Sequence, residues 1–443
     1  MSVIEQEVPD GYKQTEVGII PNDWECVSIG ELNPFVTSGS RGWASYYSEF
    51  GNPFVRITNM ERSSIYLNMN STKFVSLPAN SAEGRRTSLK DSDILISITA
   101  DIGICSYVDS KLAKPAFINQ HIALIRFENS LINPKFIAYF LSSEAVQKLF
   151  QGSADQGAKA GMNLESVKKI KTALPKLEEQ TAIANALSDV DALLTELEKL
   201  IAKKQAIKTA TMQQLLTGKT RLPQFAFYSN NESEEVATNT EGAVEGKSQG
   251  VPKGKSKGTK HSELGEIPVD WEVKELGRVC ILKSGLGITS KDINSDSQFP
   301  CYGGNGLRGY TKTYTHEGDF ALIGRQGALC GNIQFASGKF FASEHALVAT
   351  PSKGNDAKWL AIYLERMNLN QYSESSAQPG LSAEKLRLLK IIAPIPEEQT
   401  AIATILSDMD SEIQTLEQRL AKTRQIIQGM MQELLTGRTR LPY

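Results

Sequence analysis

A long internal duplication limits the possible folds of this chain more than any other feature of its sequence. Residues 178–223 align with residues 397–442 without a gap, and more than half of the aligned positions are identical. Residues 18–25 resemble residues 265–272 in the same way. A period of this length is far above the roughly 20–50 residues of solenoid and propeller repeats. The duplication therefore predicts two homologous halves, each with a globular domain followed by a helix, related by approximate two-fold symmetry.

Each duplicated segment has the features of one long helix. Pro396 suits a first helical turn, where a missing N–H group costs nothing. Paired glutamates at the start of both copies lie at the positive end of the helix dipole, and Gly218 and Gly437 suit the helix ends. Apolar residues between these ends follow heptad spacing, which predicts packing against a partner helix. The other copy, running antiparallel, is the obvious partner.

The residues predicted to pack between the helices are Leu187, Val190, Leu194, Leu197, Ile201, Leu406, Met409, Ile413, Leu416 and Leu420. Lys204 and Lys208 interrupt the first apolar stripe. We therefore expect the contact there to be looser, or to face another subunit.

The predicted fold class is α+β, with two mixed α/β domains separated by two long helices that form an antiparallel coiled coil, in a pseudo-two-fold symmetric arrangement. Short apolar runs such as 94–98, 122–125, 321–323 and 346–348 predict strands, and residues 134–150 and 357–367 predict one helix in each domain. The predicted segments are a first domain at 11–175, a first helix at 176–223, a flexible low-complexity linker at 224–259, a second domain at 260–394 and a second helix at 395–443.

The loops between the predicted strands carry groups that can read DNA bases. Arginine can bond O6 and N7 of guanine, and asparagine or glutamine can bond N6 and N7 of adenine. The candidate DNA-binding residues are Arg41, Trp43, Arg56, Asn59, Arg85, Arg86, Asn119, Gln120, Tyr302, Asn305, Arg308, Arg325 and Gln326. His121 and His345 each precede a predicted strand, and we expect them to be packed structural residues rather than base readers.

The net charge and the positions of the cysteines and histidines exclude some classes of function. A net charge of −2 is unusual for a protein that binds DNA alone, since such domains are commonly basic; any DNA contact must come from local patches or be shared with partners. The five cysteines and four histidines are scattered, so neither a metal site nor a catalytic residue is predicted. No apolar run is long enough to cross a membrane, and no secretory signal stands at the N-terminus. We therefore expect a cytoplasmic protein.

Two kinds of segment resemble enzyme motifs but lack residues that those motifs require. Residues 242–248 are one residue too short for a phosphate-binding loop and follow no strand. Residues 33–35 and 52–54 are similar to the amino-methyltransferase motif N-P-P-[YF] but lack its second proline. Catalysis by this chain is therefore not expected.

The duplicated E-E-Q helices that end in L-L-T-G-x-T-R-L-P, and the G-x-I-P-x-D-W-E domain openings, resemble the specificity subunit of type I restriction–modification systems. The resemblance covers nearly the whole chain, and the segments 302–310 and 322–327 are similar to a common variant of its recognition domain. The resemblance implies a non-catalytic subunit in which each domain reads one half of a bipartite site in double-stranded DNA. The helices would set the spacing and dock two modification subunits. S-adenosylmethionine would bind to those subunits, and ATP and Mg²⁺ to two restriction subunits.

Two other classes of function stay open at this stage. An independent methyltransferase or nuclease would show turnover with the purified chain alone. A coiled-coil adaptor without a nucleic-acid role would keep sequence-specific modification unchanged when Arg325 or Asn305 becomes alanine.

Overall fold

The structure is a computed structural model that describes residues 8–78, 81–154, 162–227, 256–327, 329–373 and 380–442. The chain folds into two compact units, one made of Met1–Lys199 with Glu417–Tyr443 and the other of Leu200–Leu416. Each unit combines one globular domain with one half of each of two long helices. Most of the predicted linker, residues 228–255, lies outside the described residues.

The first domain is built from short strands and short helices. Its strands are β1 (Tyr12–Thr15), β2 (Gly18–Pro21), β3 (Glu25–Ser28), β4 (Phe35–Ser38), β5 (Tyr47–Ser48), β6 (Asn52–Val55), β7 (Lys73–Val75), β8 (Ile94–Ser97), β9 (Cys105–Tyr107), β10 (Phe117–Ile118), β11 (Ile122–Arg126) and β12 (Lys171–Leu174). Its helices are α1 (Ala82–Thr87), α2 (Pro134–Ser142), α3 (Glu144–Ala154) and α4 (Leu164–Lys169), and the first long helix, α5 (Leu177–Leu215), follows.

Two four-stranded sheets form the centre of the first domain. One is antiparallel, in the order β4-β11-β8-β9. The other has the order β10-β6-β7-β5, and β10 runs parallel to β6. The pair β12-β3 joins the end of the domain to its beginning, just before α5 starts.

The second domain repeats this architecture. A short helix α6 (Pro223–Ala226) precedes it, and its helices are α7 (Leu276–Val279), α8 (Ala357–Arg366) and α9 (Ala383–Arg387), followed by the second long helix, α10 (Pro396–Leu434). Its strands are β13 (Thr259–Ser262), β14 (Gly265–Pro268), β15 (Glu272–Glu275), β16 (Cys280–Ser284), β17 (Phe299–Gly303), β18 (Gly306–Thr311), β19 (His316–Glu317), β20 (Phe320–Gly324), β21 (Ile333–Ala336), β22 (Lys339–Ala342), β23 (Ala346–Pro351) and β24 (Lys390–Ala393).

The antiparallel sheet of the second domain corresponds to that of the first. Three strands of the mixed sheet also correspond, but its fourth strand lies at the opposite edge, because β19 pairs with β22 whereas β5 pairs with β7. The antiparallel sheet has the order β16-β23-β20-β21, and the mixed sheet has the order β18-β17-β22-β19, with β17 parallel to β22. The pair β15-β24 takes the place of β3-β12. The predicted α+β class with two repeated domains is therefore confirmed.

The apolar runs in the central strands are continuous because both faces of the antiparallel sheet are buried. In β8, Ile94 and Ile96 face a core shared with α2 and the long helices, whereas Leu95 faces the second sheet. In β20, Ala321 and Ile323 face the corresponding core, and Leu322 faces the other side. Side chains alternate between the two faces of a strand, so a strand that is buried on both sides needs an apolar residue at every position.

The helix predicted at 134–150 is divided into α2 and α3. Ser143 between them has extended backbone angles, φ −64° and ψ 148°, which interrupts the helical hydrogen bonds. The helix predicted at 357–367 is confirmed as α8, and α10 begins at Pro396 as predicted. Gly218 and Gly437 adopt the left-handed conformation just beyond the long helices, with φ +70° and +67°.

The long helices pack antiparallel within each unit. In the first unit Arg424 of α10 pairs with Glu198 of α5, their Nη2 and Oε1 atoms lying 2.7 Å apart. Of the ten residues predicted to pack between the helices, Leu187, Leu197, Ile201, Leu406 and Ile413 are buried, and Val190, Leu194, Met409, Leu416 and Leu420 are half-buried.

The two lysines that interrupt the apolar stripe are paired inside the second unit. Lys204 Nζ lies 2.7 Å from Glu412 Oε1, and Lys208 Nζ lies 2.5 Å from Asp410 Oδ1. Both acids belong to α10. The expectation that these lysines make a loose contact or face another subunit is therefore wrong, because oppositely charged side chains of the partner helix meet them.

The glutamine that recurs in both copies of the duplicated segment connects each domain to its long helix by hydrogen bonds. Gln180 Oε1 accepts a hydrogen bond from the Asn133 backbone N–H at 2.8 Å, just before α2, and its amide donates to the Pro175 carbonyl at 2.8 Å. Gln399 makes the equivalent bonds to Asp356 and Pro394, at 2.9 and 3.0 Å. The glutamine of each E-E-Q motif thus ties the start of a long helix to the capping loop of α2 or α8.

Among the described residues, no helix combines the length and the apolar character that a membrane crossing requires.

Candidate nucleic-acid interface

Four chain segments meet at one end of the sheets in each domain. They follow β4, β6, β8 and β10 in the first domain, and the corresponding strands β16, β17, β20 and β22 in the second. We call these surfaces the loop edges: residues 39–41, 56, 98–99 and 119–121 in the first domain, and residues 284–285, 303–305, 325–326 and 343–345 in the second. Crevices at the carboxyl ends of parallel strands are common ligand sites, and β6/β10 and β17/β22 are such pairs.

A glycine allows two segments of each loop edge to approach closely. A Cβ atom on Gly39 would lie 2.3 Å from the Ile118 carbonyl oxygen, and one on Gly285 would lie 2.3 Å from the carbonyl oxygens of Ala342 and Ser343. No side chain fits at such distances. Both positions therefore need glycine for the same reason, at the same place in the fold.

The backbone connections of the two loop edges are also the same. Ile98 donates its backbone N–H to the His121 carbonyl at 2.9 Å, and Arg325 donates to the His345 carbonyl at 2.9 Å. Residues 98 and 325 are therefore structural equivalents, and so are residues 99 and 326. The loop edges share a framework although their sequences differ.

In the second domain, the predicted residues Arg325 and Gln326 lie together on the loop edge. Arg325 donates from Nη1 to Ser284 Oγ at 2.7 Å. Gln326 Oε1 lies 3.1 Å from His345 Nδ1, and His345 Nε2 lies 3.2 Å from Glu344 Oε1. Gln326, His345 and Glu344 thus form one side-chain cluster at the surface, and the Arg325 backbone N–H joins Arg325 to it through the His345 carbonyl.

The other predicted residues of the second domain lie on the β17–β18 hairpin. Asn305, at its turn, is exposed and accepts a hydrogen bond from Asn332 Nδ2 at 3.3 Å. Arg308 is exposed on β18, beside the hairpin turn. Tyr302 is half-buried, with its ring edge-on to Phe340 at 5.7 Å, and burial raises the pKa of its hydroxyl. The structure thus brings Asn305 to the loop edge and gives Tyr302 a largely packing position.

A cationic groove borders this loop edge. It has a volume of about 540 Å³, and its lining includes Lys283, Arg325, Gln326 and Arg387. Glu384 is the acid in the same lining. Three cations against one carboxylate make this groove locally positive, although the whole chain carries a net charge of −2.

In the first domain, Arg41 is exposed on the loop edge, and Arg85 is exposed on α1. Arg86 is held by its neighbours: Nη2 donates to Ser40 Oγ at 2.9 Å and to Glu83 Oε2 at 2.7 Å. Burial alone would raise the pKa of Glu83, but hydrogen bonds from Arg86 and Ser40 lower it below its ordinary value. Arg86 therefore fixes the segment after β4 and keeps only part of its donor capacity for a ligand.

Two of the predicted base readers are buried. Trp43 is 4% exposed and packs on Phe54 and Phe117, with ring centroids 4.8 and 5.6 Å away. Asn59 is fully buried, and it accepts from the Arg56 backbone N–H at 3.0 Å. Their assignment as base readers is corrected here, because no base could reach either side chain. Both side chains instead belong to the interior of the domain and support the loops by packing and hydrogen bonding.

Arg56 and Asn119 emerge side by side from the parallel strands β6 and β10. Arg56 is half-buried, and its Nη2 donates to the Ser71 carbonyl at 3.1 Å. Asn119 Oδ1 accepts from the His121 backbone N–H at 3.1 Å, and Gln120 Nε2 lies 2.9 Å from His121 Nε2. Four of the predicted residues of this domain, Arg41, Arg56, Asn119 and Gln120, therefore belong to its loop edge.

Sequence reasoning assigned His121 and His345 to structural packing, but both are half-buried members of the loop edges. The signal that could have identified them is their equivalent position. Each stands directly before the central buried strand of its domain, β11 or β23. That equivalence becomes clear only when the two domains are aligned by their strands.

Among the described residues, no group of three or more histidine, cysteine or acidic side chains could hold a metal ion. The described cysteines are separate thiols, and burial raises the pKa of Cys105 and of Cys280 to about 12. Neither thiol is therefore ionised at neutral pH.

Comparison with known proteins agrees with this architecture. The family described as the type I restriction modification DNA specificity domain matches residues 21–209 and 268–424. The EcoprrI specificity subunit from Escherichia coli, a type I restriction enzyme subunit, is 44% identical over 150 residues, which cover 33% of this chain and 37% of that protein. A Methanocaldococcus jannaschii protein, named for the specificity subunit of the type I restriction enzyme MjaX, is 26% identical over 98% of this chain and 97% of its own length.

One solved structure has the same fold over nearly the whole chain. It is the S subunit of a type I restriction–modification system from M. genitalium, with a TM-score of 0.60 and 15% sequence identity, and the match covers 97% of this chain and 98% of that one. At this level of identity the likeness concerns the fold alone.

Proposed function

Because the chain belongs to the family of type I restriction–modification DNA specificity subunits, we propose that each of its two domains reads one half of a bipartite DNA site. The observation that carries this proposal is the pair of loop edges. They share backbone connections and required glycines, yet they present different polar side chains. Two such surfaces on one framework suit two different half-sites.

The groups on the loop edges fit base reading in a groove of duplex DNA. Arg325 can form two hydrogen bonds to guanine, and Asn119 or Gln120 can bond adenine. The cationic groove beside Arg325 supplies local attraction for phosphates. The net charge of −2 is then compatible with DNA binding, because in the complex that we propose the partner subunits make the remaining phosphate contacts.

The long helices would set the distance between the half-sites. Each has 39 residues, and a helix of that length measures about 58 Å at a rise of 1.5 Å per residue. That exceeds one turn of DNA, about 34 Å. A pair of helices of this length can therefore act as a spacer for a bipartite site.

The helices would also dock the modification subunits. Leu200 and Ile207, on the part of α5 that belongs to the second unit, are 38% and 41% exposed, and they lie seven residues apart. Large apolar side chains at this spacing lie along one side of a helix. This exposed line is separate from the residues that pack against α10, and it suits a helix of another protein.

As the DNA-recognition part of its complex, the chain itself does no catalysis. In the complex that we propose, two modification subunits bind S-adenosylmethionine and methylate adenine N6. Two restriction subunits use ATP and Mg²⁺. We place the assembly in the cytoplasm, where it meets the DNA.

Sequencing of methylated DNA tests the proposal. The chain is co-expressed with its modification subunit in a host without DNA methylation, and N6-methyladenine is mapped across the genome. We expect a bipartite motif that needs this chain, and Arg325→Ala should relax the second half-site alone by about 1–3 kcal/mol of discrimination. If both proteins are associated and no motif appears, DNA reading is wrong and the adaptor role is favoured.

A further inference from the structure

We propose that two side-chain pairs, Gln120 with His121 and Glu344 with His345, contact base edges of the bound duplex, and that the side chains of Thr99 and Gln326 position these pairs. This inference rests on the proposed function, because it takes the loop edges as the DNA-reading surfaces. It adds to that function two specificity-determining pairs and two positioning residues.

The two histidines occupy the same place in the fold. Each follows a strand of the mixed sheet, β10 or β22, and directly precedes the central strand of the antiparallel sheet, β11 or β23. The carbonyl oxygen of each accepts the equivalent backbone hydrogen bond, from Ile98 or Arg325, at 2.9 Å. The imidazole rings therefore start from matched backbone positions.

The side chain after that backbone donor holds one ring nitrogen in both domains. Thr99 Oγ1 lies 2.5 Å from His121 Nδ1, and Gln326 Oε1 lies 3.1 Å from His345 Nδ1. A hydrogen bond at one ring nitrogen fixes the orientation of the imidazole and the role of the other nitrogen. Thr99 and Gln326 therefore act as positioning residues.

The residue before each histidine faces the second ring nitrogen. Gln120 Nε2 lies 2.9 Å from His121 Nε2, whereas Glu344 Oε1 lies 3.2 Å from His345 Nε2. The first domain thus has Thr, Gln and His at positions 99, 120 and 121. The second domain has Gln, Glu and His at the equivalent positions 326, 344 and 345. An amide suits adenine, and a carboxylate accepts from the N4 amino group of cytosine, so the two sets favour different bases.

Stabilisation of the fold does not account for the cluster of the second domain. The side chains of His345 and Glu344 are 45% and 39% exposed. Polar contacts this open to water contribute little to folding. The cluster also borders the cationic groove, whose lining includes Arg325 and Gln326. A polar cluster at such an edge is suited to a ligand that brings its own donors and acceptors.

The test uses the full chain co-expressed with its modification subunit, with N6-methyladenine mapping as the readout. Variant His345→Ala should lower the preference for the original base at one or more positions of the second half-site by about 10-fold. The first half-site, read by the unchanged domain of the same molecule, should stay as it was. His121→Ala should do the reverse. His261→Ala is the matched control, because this histidine is 85% exposed on β13, away from the loop edge.

A double variant tests the residues that surround His345 and is expected to keep the domain folded. Gln326→Thr with Glu344→Gln gives the second domain the set of the first and keeps a hydrogen-bonding group on each side of His345. We expect a changed base in the second half-site. If the wild-type motif is bipartite and the double variant and both histidine variants leave it unchanged, this inference is wrong and the proposed function stands. If wild type yields no motif, both are wrong.

Discussion

Arg440 and Glu179 form an ion pair although they are 261 residues apart in the sequence. Arg440 Nη2 donates to Glu179 Oε2 at 2.7 Å, and the Trp24 indole donates to the same oxygen at 3.1 Å. Arg440 stands just beyond the end of α10, and Glu179 stands at the start of α5. One side chain thus connects the end of one long helix, the beginning of the other, and the entry of the first domain.

The second unit repeats this cluster with the helices exchanged. Arg221, beyond α5, donates to Glu398 and to Asp270, with Nη2–Oε2 and Nη1–Oδ1 distances of 2.6 and 2.8 Å. Trp271 donates to Glu398 at 2.9 Å. The motifs T-R-L-P, E-E-Q and D-W-E therefore meet in three dimensions, which explains why all three occur twice.

Loss of Arg221 should destabilise the second unit strongly. Glu398 is 1% exposed, so Arg221→Ala leaves its carboxylate buried, and among the described residues the Trp271 indole is then its remaining side-chain donor. We expect the free energy of unfolding to fall by about 3 kcal/mol, as for other broken buried pairs. Urea unfolding followed by tryptophan fluorescence measures it. Lys219→Ala, at an exposed position two residues away, should change the value by less than about 0.5 kcal/mol. Equal effects of the two substitutions would contradict this role for the cluster.

The same cluster should make stability depend on pH in acid. Burial alone would raise the pKa of Asp270, but hydrogen bonds from Arg221 and Lys257 hold it below its ordinary value of 3.8. For a carboxyl with a lowered pKa, the stabilisation is complete above the unfolded value and is lost as pH falls through the folded value. We therefore expect the wild type to lose more stability between pH 5 and pH 3 than Asp270→Asn, measured by urea unfolding. Asp408→Asn, on the exposed face of α10, is the control. A wild-type loss that Asp270→Asn leaves undiminished would contradict the prediction.

Features with a local period could be predicted from the sequence. Heptad spacing identified the long helices, and continuous apolar runs identified β8, β11, β20 and β23, because each signal lies within one element. The division of the helix at Ser143 was missed, since the residues on both sides have helical character. The ion pairs of Lys204 and Lys208 were missed because their partners lie on the other helix.

The candidate site was less predictable because burial of a loop residue depends on distant parts of the chain. Trp43 lies in a loop whose polar and glycine-rich sequence is typical of an exposed, base-reading segment. Its contacts with Phe54 and Phe117 on neighbouring strands show that it is part of the core. The sequence did not indicate that His121 and His345 both lie on the loop edges. Their equivalence depends on strand pairing in two domains whose sequences differ.

The close contact at Gly285 should be needed for reading the second half-site. A Cβ atom there would lie 2.3 Å from two carbonyl oxygens, so Gly285→Ala must displace the segment that carries Ser343. We expect a loss of about 1–3 kcal/mol in stability from this overpacking, with weaker methylation at sites that carry the second half. Gly287→Ala is the control, because a Cβ there has open space. Unaltered methylation and stability in Gly285→Ala would contradict the prediction.

The exposed apolar line on α5 should decide whether a modification subunit binds. Leu200 and Ile207 are 38% and 41% exposed, so Leu200→Glu with Ile207→Glu should leave the unfolding free energy of the isolated chain within about 0.5 kcal/mol of wild type. Burial of a charge in an apolar interface costs several kcal/mol, so affinity for the modification subunit should fall at least 10-fold in a titration of the purified proteins. Ala202→Glu with Thr209→Glu, at exposed positions on another side of the same helix and also seven residues apart, adds the same two negative charges away from this line and should retain more affinity. Equal losses for the two pairs would instead indicate a general effect of charge on α5.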